Sequence, residues 1–235
     1  MNKISKAEVR IMKKSIRIGT YNIWHGERVK DDVGAIGRAL ADMEIDIAGI
    51  QEVDVGTARM NGMDTLAMIA EAGGYPYYAF AKAFDLGGGG YGTAIVSKYP
   101  ILSAESEALP SGEYEPRAYG HAVIDINGKR IDFFNTHASV EDDATRREQM
   151  TYLAARVKMH KCYIVTGDFN TEELSAFAVF EPCRMINPKR FASFYSTEIA
   201  IDHIILEENI TPIEAAMPTL ELSDHYPVWA DVVLP

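Results

Sequence analysis

Short clusters of carboxylate, amide and imidazole side chains follow the predicted strands of this chain. Gly167-Asp168-Phe169-Asn170 lies in the middle of the sequence, and Ser223-Asp224-His225 lies near its end. Further clusters are centred on Asn22, Glu52 and His137. Carboxylate and amide oxygens are ligands for hard divalent cations, and amide and imidazole N–H groups bind phosphate oxygens. The sequence therefore indicates a site that holds a cation and a phosphate together.

The clusters belong to a series of motifs that runs along nearly the whole chain. In order they are Thr20-Tyr21-Asn22-Ile23-Trp24, Gln51-Glu52-Val53-Asp54, Tyr91 to Lys98, Asn135-Thr136-His137, Gly167 to Asn170, Ile201-Asp202-His203-Ile204 and Ser223 to Val228. A single motif is weak, because QEVD or GDFN alone occurs by chance. The full series, from Ile16 to Leu234, resembles the endonuclease/exonuclease/phosphatase superfamily, the DNase I-like metal-dependent phosphohydrolases.

The resemblance implies an α/β fold with four layers. Two mixed β-sheets pack face to face with helices outside, in an α/β/β/α sandwich, and the motifs converge on one cleft at the strand ends. It also implies that Glu52 is a ligand of Mg²⁺ (or Mn²⁺), with Asn22 and Asp224 as further ligands. Mg²⁺ is held by one or two carboxylates and keeps several waters or substrate oxygens, so one glutamate suffices to seat it. Asn22 is alternatively a ligand of a phosphate oxygen, and Asp54 is a weaker candidate for an outer position.

The same resemblance assigns the catalytic roles. Asp168 is expected to orient and polarise the attacking water, and Asn170 to donate to a phosphoryl oxygen as negative charge develops. In an extended segment their side chains point the same way, whereas the alternative is an Asx-turn after the strand. His225 is expected to donate to a non-bridging phosphate oxygen or to act as acid or base. Asp202 is expected to hold the His225 ring and set its tautomer.

Other polar residues are assigned with less support from the motifs. His137 is a candidate general acid for the leaving oxygen. Arg117 is a candidate catalytic and substrate-binding residue that neutralises phosphate charge, and the alternative is a surface arginine. Tyr91 is a candidate substrate-binding residue. His203 is expected to be structural, as it faces away from the side of Asp202. His121 and His160 are interpreted as structural. Trp24 and His25 are expected at the rim of the cleft, with the core as the alternative position for Trp24.

Apolar patterns predict the elements that position these residues. Strands are predicted at 16–24, 45–53, 91–97, 117–126, 129–135, 162–166, 201–206 and 226–234, with Asn127-Gly128 as a hairpin turn. Helices are predicted around 33–43, which Asp31-Asp32 would cap, around 66–70 and at 144–159. Gly87-Gly88-Gly89-Gly90 lacks the spacing of a nucleotide-binding loop and is interpreted as a flexible loop, with a substrate-facing position as one alternative.

Length and composition limit the remaining possibilities. The chain has 235 residues and a net charge of −11, and we expect one domain over residues 15–235. Residues 1–14 are predicted to be a disordered extension, with Met1 or Met12 as the start. No apolar run approaches the ~20 residues of a membrane span, and the N-terminus has no apolar core of a secretory signal. Cys162 and Cys183 form no disulfide framework, and Cys162 is expected to be a buried thiol. The expected location is cytoplasmic.

The predicted activity is hydrolysis of a phosphodiester by metal-assisted in-line attack of water. The expected partner is a phosphoester substrate, either a nucleic acid or a small molecule, and no protein partner is implied. A nuclease or nucleotide phosphodiesterase is favoured slightly over an enzyme that acts on a lipid head group or on an inositol or sugar phosphate. The acidic net charge gives no attraction for long polyanions. A non-catalytic binding protein on the same scaffold is a remote alternative.

Overall fold

The computed structural model describes residues 15–235, so the predicted extension 1–14 lies outside the described residues. Twelve strands and three helices follow one another in this order: β1 (Ile16–Asn22), α1 (Gly34–Asp42), β2 (Ile47–Val55), α2 (Thr65–Gly73), β3 (Tyr77–Leu86), β4 (Gly89–Ser97), β5 (Ile101–Leu109), β6 (Arg117–Ile126), β7 (Lys129–His137), α3 (Asp143–Val157), β8 (Tyr163–Asp168), β9 (Cys183–Met185), β10 (Asp202–Glu207), β11 (Thr211–Ala216) and β12 (Val228–Val233). Short 3₁₀ segments are formed by Trp24–Val29, Ala58–Met60 and Leu174–Phe180. Across residues 15–235, no helix has the length and apolar character needed to cross a membrane.

The strands form two mixed sheets of six strands each. Their orders are β11-β12-β1-β2-β4-β3 and β5-β6-β7-β8-β10-β9. Within them, β1 pairs in parallel with β2, and β7 pairs in parallel with β8. The other pairs between strands in residues 15–235 are antiparallel. Each sheet therefore has one parallel pair at its centre, and the two parallel pairs supply most of the motif residues.

Three apolar clusters define the layers of the fold. The first lies between the sheets and includes Ile18 and Phe133. The second packs the apolar side of α1 and α2, through residues such as Leu40, on the first sheet. The third packs α3, through residues such as Leu153, on the second sheet. Helices thus cover the outer face of each sheet, which confirms the predicted four-layer α/β/β/α sandwich.

The predicted inner strands and the three helices are all present, whereas four strands were missed. These four, β3, β5, β9 and β11, are the edge strands of the two sheets. An edge strand has a neighbour on one side only, and most residues of β3 and β5 are exposed or half-buried. Their sequences therefore lack the apolar run that marks a buried strand, which is the signal on which the prediction depended.

Three local predictions were wrong. Gly87–Gly90 does not form a flexible loop, because Gly87 (φ +53°) and Gly88 (φ +87°) make the tight turn between β3 and β4 and the next two glycines belong to β4. Positive φ at both central residues is the geometry of a type I′ hairpin turn. Helix α1 is not capped by Asp31-Asp32, since its N-cap is Val33, which makes no side-chain capping bond. Cys162 precedes β8 and is half-buried rather than buried.

A buried polar network joins the two sheets behind the strand ends. The Asn135 amide nitrogen donates to the backbone carbonyls of Ile50 and Ala94, at 2.9 Å each, across the gap between the sheets. Its carbonyl oxygen accepts from Gln51 Nε2 at 2.6 Å and from Thr166 Oγ1 at 3.1 Å. Every strand of the two central parallel pairs except β1 contributes to these bonds directly. The network therefore fixes the relative position of the sheets close to the site.

Candidate active site

The motif residues meet at one edge of the sandwich because of the strand directions. Asn22 and His137 end β1 and β7, Glu52 lies late in β2, and Asp168 ends β8. The carboxyl ends of parallel neighbours lie at the same edge of a sheet, and the two sheets bring these edges together. Asp202 begins the antiparallel strand β10, opposite Asp168 in the register. The topology thus delivers side chains from distant parts of the sequence to one volume.

A cleft of about 550 Å³ opens at this edge. Eight of the ten predicted site residues line it: Glu52, Tyr91, Arg117, His137, Asp168, Asn170, Asp224 and His225. The remaining two, Asn22 and Asp202, are fully buried and contact the lining residues from behind. The structure therefore brings all ten predicted residues to one site, while their individual roles stay predictions.

Asn22 joins the two central carboxylates of the site. Its amide nitrogen donates to Glu52 Oε1 at 3.0 Å and to Asp168 Oδ2 at 2.9 Å. Its carbonyl oxygen accepts from the backbone N–H of Trp24 at 3.0 Å. Since both ends of the amide are occupied, Asn22 is placed to hold Glu52 and Asp168 close together. This arrangement supports an orienting role for Asn22 more directly than the predicted role of a metal ligand.

A bulge in β2 presents Glu52 to the cleft. The pairing of β2 with β4 shifts between Ile50 and Val53, and Glu52 has a left-handed backbone with φ of +59°. Two further non-glycine residues with positive φ line the cleft, namely His25 and Asn170, and Trp24, which precedes His25, also has positive φ. Such conformations are costly for residues with a Cβ and gather where side-chain direction matters for function. The bulge also turns Asp54 away from Glu52, and Asp54 instead accepts from Arg59 Nε at 2.6 Å.

The environment of Glu52 favours its charged form. Burial alone would raise the pKa of this carboxyl, but the neighbouring rings of His25, His137 and His225 and the hydrogen bond from Asn22 outweigh it, and the pKa falls to about 2. His25 Nδ1 lies 3.7 Å from Glu52 Oε2. Glu52 is therefore an anion throughout the neutral range, as a carboxylate must be to bind a cation.

His225 and Asp202 form a buried pair beside Asp168. His225 Nδ1 lies 2.8 Å from Asp202 Oδ2, and His225 Nε2 lies 3.7 Å from Asp168 Oδ2. Burial would lower the pKa of His225, but the charge and hydrogen bond of Asp202 and the charge of Asp168 raise it well above the usual range. His225 is therefore doubly protonated at neutral pH, with Nδ1–H donating to Asp202 and Nε2–H directed toward the cleft. In this state the ring can donate from Nε2 but has no lone pair with which to act as a base.

His137 is fixed in the opposite protonation state. Its Nδ1 lies 2.8 Å from Arg117 Nη1, and its Nε2 lies 3.5 Å from Asp168 Oδ2. Burial and the Arg117 charge lower the pKa of His137 well below its usual value. Because a guanidinium can only donate, Nδ1 accepts and the proton of neutral His137 is on Nε2, which faces the cleft. Arg117 is buried and also pairs with Glu115 Oε1 at 3.0 Å, so it is not a surface arginine.

Asp168 is placed among groups that raise its basicity. Burial and the charge of Asp202 raise its pKa well above the ordinary value, although His225 partly opposes them. Asp168 Oδ1 accepts from the backbone N–H of Asn170 at 2.9 Å, which is the Asx-turn alternative and not the extended geometry. Asn170 (φ +50°) still lines the cleft, with its amide nitrogen donating to Ala138 O at 2.9 Å. Asp168 and Asn170 therefore face the same cleft because of an Asx-turn, and not because of the extended backbone that was predicted.

Asp224 and Tyr91 form part of the cleft wall. Asp224 lines the cleft wall, where its charge raises the pKa of His225, and Ser223 Oγ donates to it at 3.1 Å. Tyr91 is buried in the wall with Arg59 stacked over its ring at 5.1 Å. Burial and the charge of Glu52 raise the pKa of the Tyr91 hydroxyl, so it remains a neutral group that can donate.

The structure adds lining residues that sequence reasoning missed. They are Arg59, Phe84, Leu86, Glu115, Val140, Phe194, Ile199 and Ile201. Of these, only Ile201 lies in one of the motifs, beside Asp202, and Glu115 lies two residues before Arg117; the other six had no local signal in the sequence. His25 does lie at the cleft, as predicted, and it contacts Glu27 at 3.1 Å. His203 is buried, 3.2 Å from Thr171 O and packed on Phe177, in agreement with a structural role.

The donor set fits a divalent cation. The side chains of Asp168, Asp202 and His225 lie within 4.8 Å of one another, and the two carboxylates among them are available to a cation while the His225 ring is protonated. The Asn22 amide holds Glu52 beside them. Among residues 15–235, Asp202 Oδ1 is a buried oxygen without a hydrogen-bond partner. Buried carboxylates that repel one another are stabilised by a cation, and oxygen donors suit Mg²⁺ or Mn²⁺. The observed residues therefore agree with the predicted cofactor class.

Comparison with known proteins bears on the family to which the chain belongs. The family model described as "Endonuclease/Exonuclease/phosphatase family" matches residues 19–225. One relative, protein cwh43 of Schizosaccharomyces pombe, is 34% identical over 118 residues, which are 49% of this chain but only 12% of that longer protein.

Solved structures share the fold at low sequence identity. An endonuclease/exonuclease/phosphatase from Beutenbergia cavernae has a TM-score of 0.80 and 17% identity, over 94% of this chain and 72% of that one. The mannosyl-6-phosphatase Bt3783 of Bacteroides thetaiotaomicron has a TM-score of 0.72 and 18% identity, over 93% and 100% of the two chains. D. rerio TDP2 complexed with single strand DNA product has a TM-score of 0.73 and 16% identity, over 93% and 99%. With its motifs in order, its sandwich fold and a family match over most of its length, the chain belongs to the endonuclease/exonuclease/phosphatase family.

Proposed function

We propose that this protein is a Mg²⁺- or Mn²⁺-dependent phosphodiesterase. The observation that carries the proposal is the single Asn22 amide that donates to both Glu52 and Asp168, beside the paired His225 and Asp202. Carboxylates for a cation and N–H donors for a phosphate thus face the same cleft. A bound Mg²⁺ or Mn²⁺ would be held by Glu52, whose carboxylate Asn22 orients, and would neutralise phosphate charge and stabilise the leaving oxygen.

The residues of this chain supply the remaining steps. Asp168, whose pKa is raised by burial and by Asp202, accepts a proton from the attacking water. The His225 Nε2–H donates to a non-bridging oxygen, because Asp202 keeps the ring protonated and oriented. The His137 Nε2–H is directed at the same volume and donates a hydrogen bond to the leaving oxygen, which takes its proton from solvent, while Arg117 holds the tautomer. Asn170 adds a polar group at the mouth of the site.

The cleft favours a compact diester over a long polyanion. One part of its wall is apolar and is formed by Phe84, Leu86, Val140, Phe194, Ile199 and Ile201. The two lining arginines, Arg59 and Arg117, are each already paired with a carboxylate. This apolar wall lies next to the carboxylates and histidines of the cleft, and the combination fits a phosphodiester that carries a nucleobase or another apolar group. A nucleotide diester is therefore our first candidate.

The same wall supports a second candidate, a phosphodiester or phosphate of a lipid head group, inositol or sugar. Structural neighbours are consistent with both classes, since one is a mannosyl-6-phosphatase and another holds a single strand DNA product. In either case the partner is a phosphoester substrate, and we propose a cytoplasmic location. A non-catalytic binding protein is disfavoured because every expected donor is in the cleft or directly behind it.

The reaction is tested with the full chain on bis-p-nitrophenyl phosphate and p-nitrophenyl phosphate, with Mg²⁺, Mn²⁺ or EDTA. We expect diester hydrolysis that EDTA abolishes. A dinucleotide, a glycerophosphodiester, a sugar phosphate and a single-stranded oligonucleotide then separate the substrate classes. Hydrolysis that is unchanged in EDTA would contradict the proposal. Complete silence on this panel, from folded protein that binds Mn²⁺, would favour the binding-protein alternative.

A further inference from the structure

A second group of metal-ligating side chains lies on the outer face of the second sheet, apart from the cleft. His121 lies on β6, Asp132 lies on β7, and His160 follows α3. His121 is four residues along β6 from Arg117, which corresponds to roughly 13 Å at the rise of a β-strand. His121 and His160 were interpreted as structural from the sequence, where they are 39 positions apart, and only the fold brings them together with Asp132.

Their donor atoms converge on one point. His121 Nε2 lies 2.8 Å from Asp132 Oδ1, and His160 Nδ1 lies 2.9 Å from the same oxygen. The three donor atoms lie within 4.8 Å of one another. His121 is buried and stacks on Phe134 with ring centroids 4.4 Å apart, so its ring direction is fixed by packing. His160 and Asp132 are half-buried, which leaves the group accessible to an ion from solvent.

The other nitrogen of His121 is also engaged. Its Nδ1 lies 2.9 Å from Glu105 Oε1 on β5. A neutral imidazole has one N–H and can donate to only one of Glu105 and Asp132, whereas a protonated ring donates to both. A cation bound by the His121 Nε2 lone pair, Asp132 and His160 is compatible with the same geometry, because the Nδ1–H of the neutral ring then donates to Glu105. A carboxylate that orients a ligating histidine through its second nitrogen is the usual arrangement around protein zinc.

We propose that His121, Asp132 and His160 form a zinc site on the outer face of the second sheet, with Glu105 as the residue that orients His121. Two imidazoles and one carboxylate are a zinc-type donor set, and water occupies the fourth position of such three-ligand sites. Mg²⁺ is disfavoured here, since it prefers oxygen donors. The ion would tie β6 and β7 to the segment that follows α3. The site is independent of the proposed hydrolysis.

The test is calorimetric titration of the metal-free full chain with Zn²⁺. The active site also offers carboxylates and a histidine, so the titration is repeated on Glu52→Gln to identify the event that belongs to the cleft. We expect a zinc-binding event that Glu52→Gln retains and that His160→Ala and Asp132→Asn both lose. Because His160 is a proposed ligand, its loss should lower affinity by more than the ~10–100-fold that loss of an orienting partner such as Glu105 costs.

Lys161→Ala is the matched control, because Lys161 is exposed, adjoins His160 and lies outside the group. It should bind Zn²⁺ as the wild type does. Thermal unfolding of each variant without metal identifies any variant that fails to fold, and Asp132→Asn provides a second removal of a ligand that keeps the side-chain shape. Zinc binding by His160→Ala and Asp132→Asn with the wild-type affinity and stoichiometry would overturn the proposal and leave a hydrogen-bonded group only. Retained Mn²⁺-dependent hydrolysis in His160→Ala would separate this site from the cleft.

Discussion

At the scale of residues, the site depends on pairs that set each other's protonation and direction. Asn22 positions Glu52 and Asp168, Asp202 keeps His225 protonated, and Arg117 fixes the tautomer of His137. The two histidines thus both direct an N–H into the cleft, although one is cationic and the other neutral. The proposed mechanism needs donors at these two positions and a base at Asp168.

The first prediction concerns Glu52→Gln. Replacing the carboxylate by an amide removes a negative charge whose pKa is about 2 in the folded protein, so cation affinity should fall. We expect the Mn²⁺ concentration for half-maximal diester hydrolysis to rise at least tenfold, measured by titrating Mn²⁺ into metal-free protein. Glu71→Gln, an exposed glutamate on α2, is the control and should titrate as the wild type does. An unchanged titration of Glu52→Gln would exclude its role as a ligand.

The second prediction concerns the pH dependence of stability. Burial would lower the pKa of His225, but Asp202 and Asp168 outweigh it and raise the pKa to about 10. A raised pKa stabilises the folded state fully below the unfolded value of about 6.5, and that stabilisation disappears as the pH rises through the folded pKa. The advantage of wild type over Asp202→Asn in free energy of unfolding should thus be largest at pH 6 and shrink toward pH 10.

Urea unfolding of both proteins in EDTA at pH 6, 8 and 10 measures this difference. Tyrosine and lysine ionisation affects both proteins alike and cancels in the comparison. A difference that is constant across the range, or that grows with pH, would show that Asp202 does not hold the His225 charge.

At this scale the sequence predicted which residues meet, but not how they are held. All ten predicted residues lie in the cleft or directly behind it. They could be identified from the sequence because each motif is a short local pattern and the motifs follow one another in a specific order. The joint role of Asn22 depends on a contact with Asp168 across 146 residues of sequence, and the Asn170 side chain is held by a contact with Ala138 across 32 residues. The apolar lining, such as Phe194 and Ile199, belongs to loops whose residues look like core residues in the sequence.

At the scale of elements, the bulge in β2 connects the fold to the site. It directs Glu52 into the cleft, and Asn135 bonds the last regular pair before it, Ile50 and Ala94. Glycine is required at position 49, next to Ile50, because a Cβ there would lie 2.1 Å from Thr166 Oγ1 and 2.3 Å from Asn135 Oδ1. The polar network therefore constrains both the sheet packing and the position of Glu52.

The third prediction follows from this network. Asn135→Ala removes the side-chain donor of two buried carbonyls, at ~1–3 kcal/mol for each group. The Gln51 amide nitrogen keeps Thr20 Oγ1 as its partner. We expect a loss of at least ~2 kcal/mol in the free energy of unfolding and weaker Mn²⁺ binding, measured by urea unfolding and calorimetry. Asn209→Ala changes an exposed asparagine and should cost less than ~0.5 kcal/mol. A stability of Asn135→Ala within that range would contradict the proposed role of the network.

Elements buried on both faces were predictable, whereas the sheet edges were not. Strands β2, β4 and β8 carry apolar runs because both of their faces are covered. Edge strands such as β3 and β5 alternate less clearly, since solvent reaches most of their residues. The missed edges did not alter the predicted architecture, because the motif residues lie on the inner strands.

At the scale of the whole molecule, charge bears on the substrate. The net charge of −11 and the paired arginines of the cleft provide little attraction for a duplex. The fourth prediction is that a dinucleotide is cleaved with higher kcat/KM than plasmid DNA, and that its kcat/KM changes less than tenfold between 50 and 200 mM salt. Proteins with 6–10 phosphate contacts lose about 10³–10⁵ in affinity over that range. Faster plasmid cleavage with a steep salt dependence would instead indicate an extended nucleic-acid surface.

The proposed mechanism depends most on Asp168, which accepts a proton from the water that attacks the phosphodiester in the presence of the metal. It is tested most directly by the turnover of bis-p-nitrophenyl phosphate at saturating Mn²⁺ in wild type and Asp168→Asn, with folding of both checked by circular dichroism. A general base contributes about 10²–10⁴-fold, so turnover by Asp168→Asn should be at least ~100-fold lower, and EDTA should abolish turnover by the wild type. Turnover by folded Asp168→Asn within a few-fold of wild type, or turnover that survives EDTA, would contradict the mechanism.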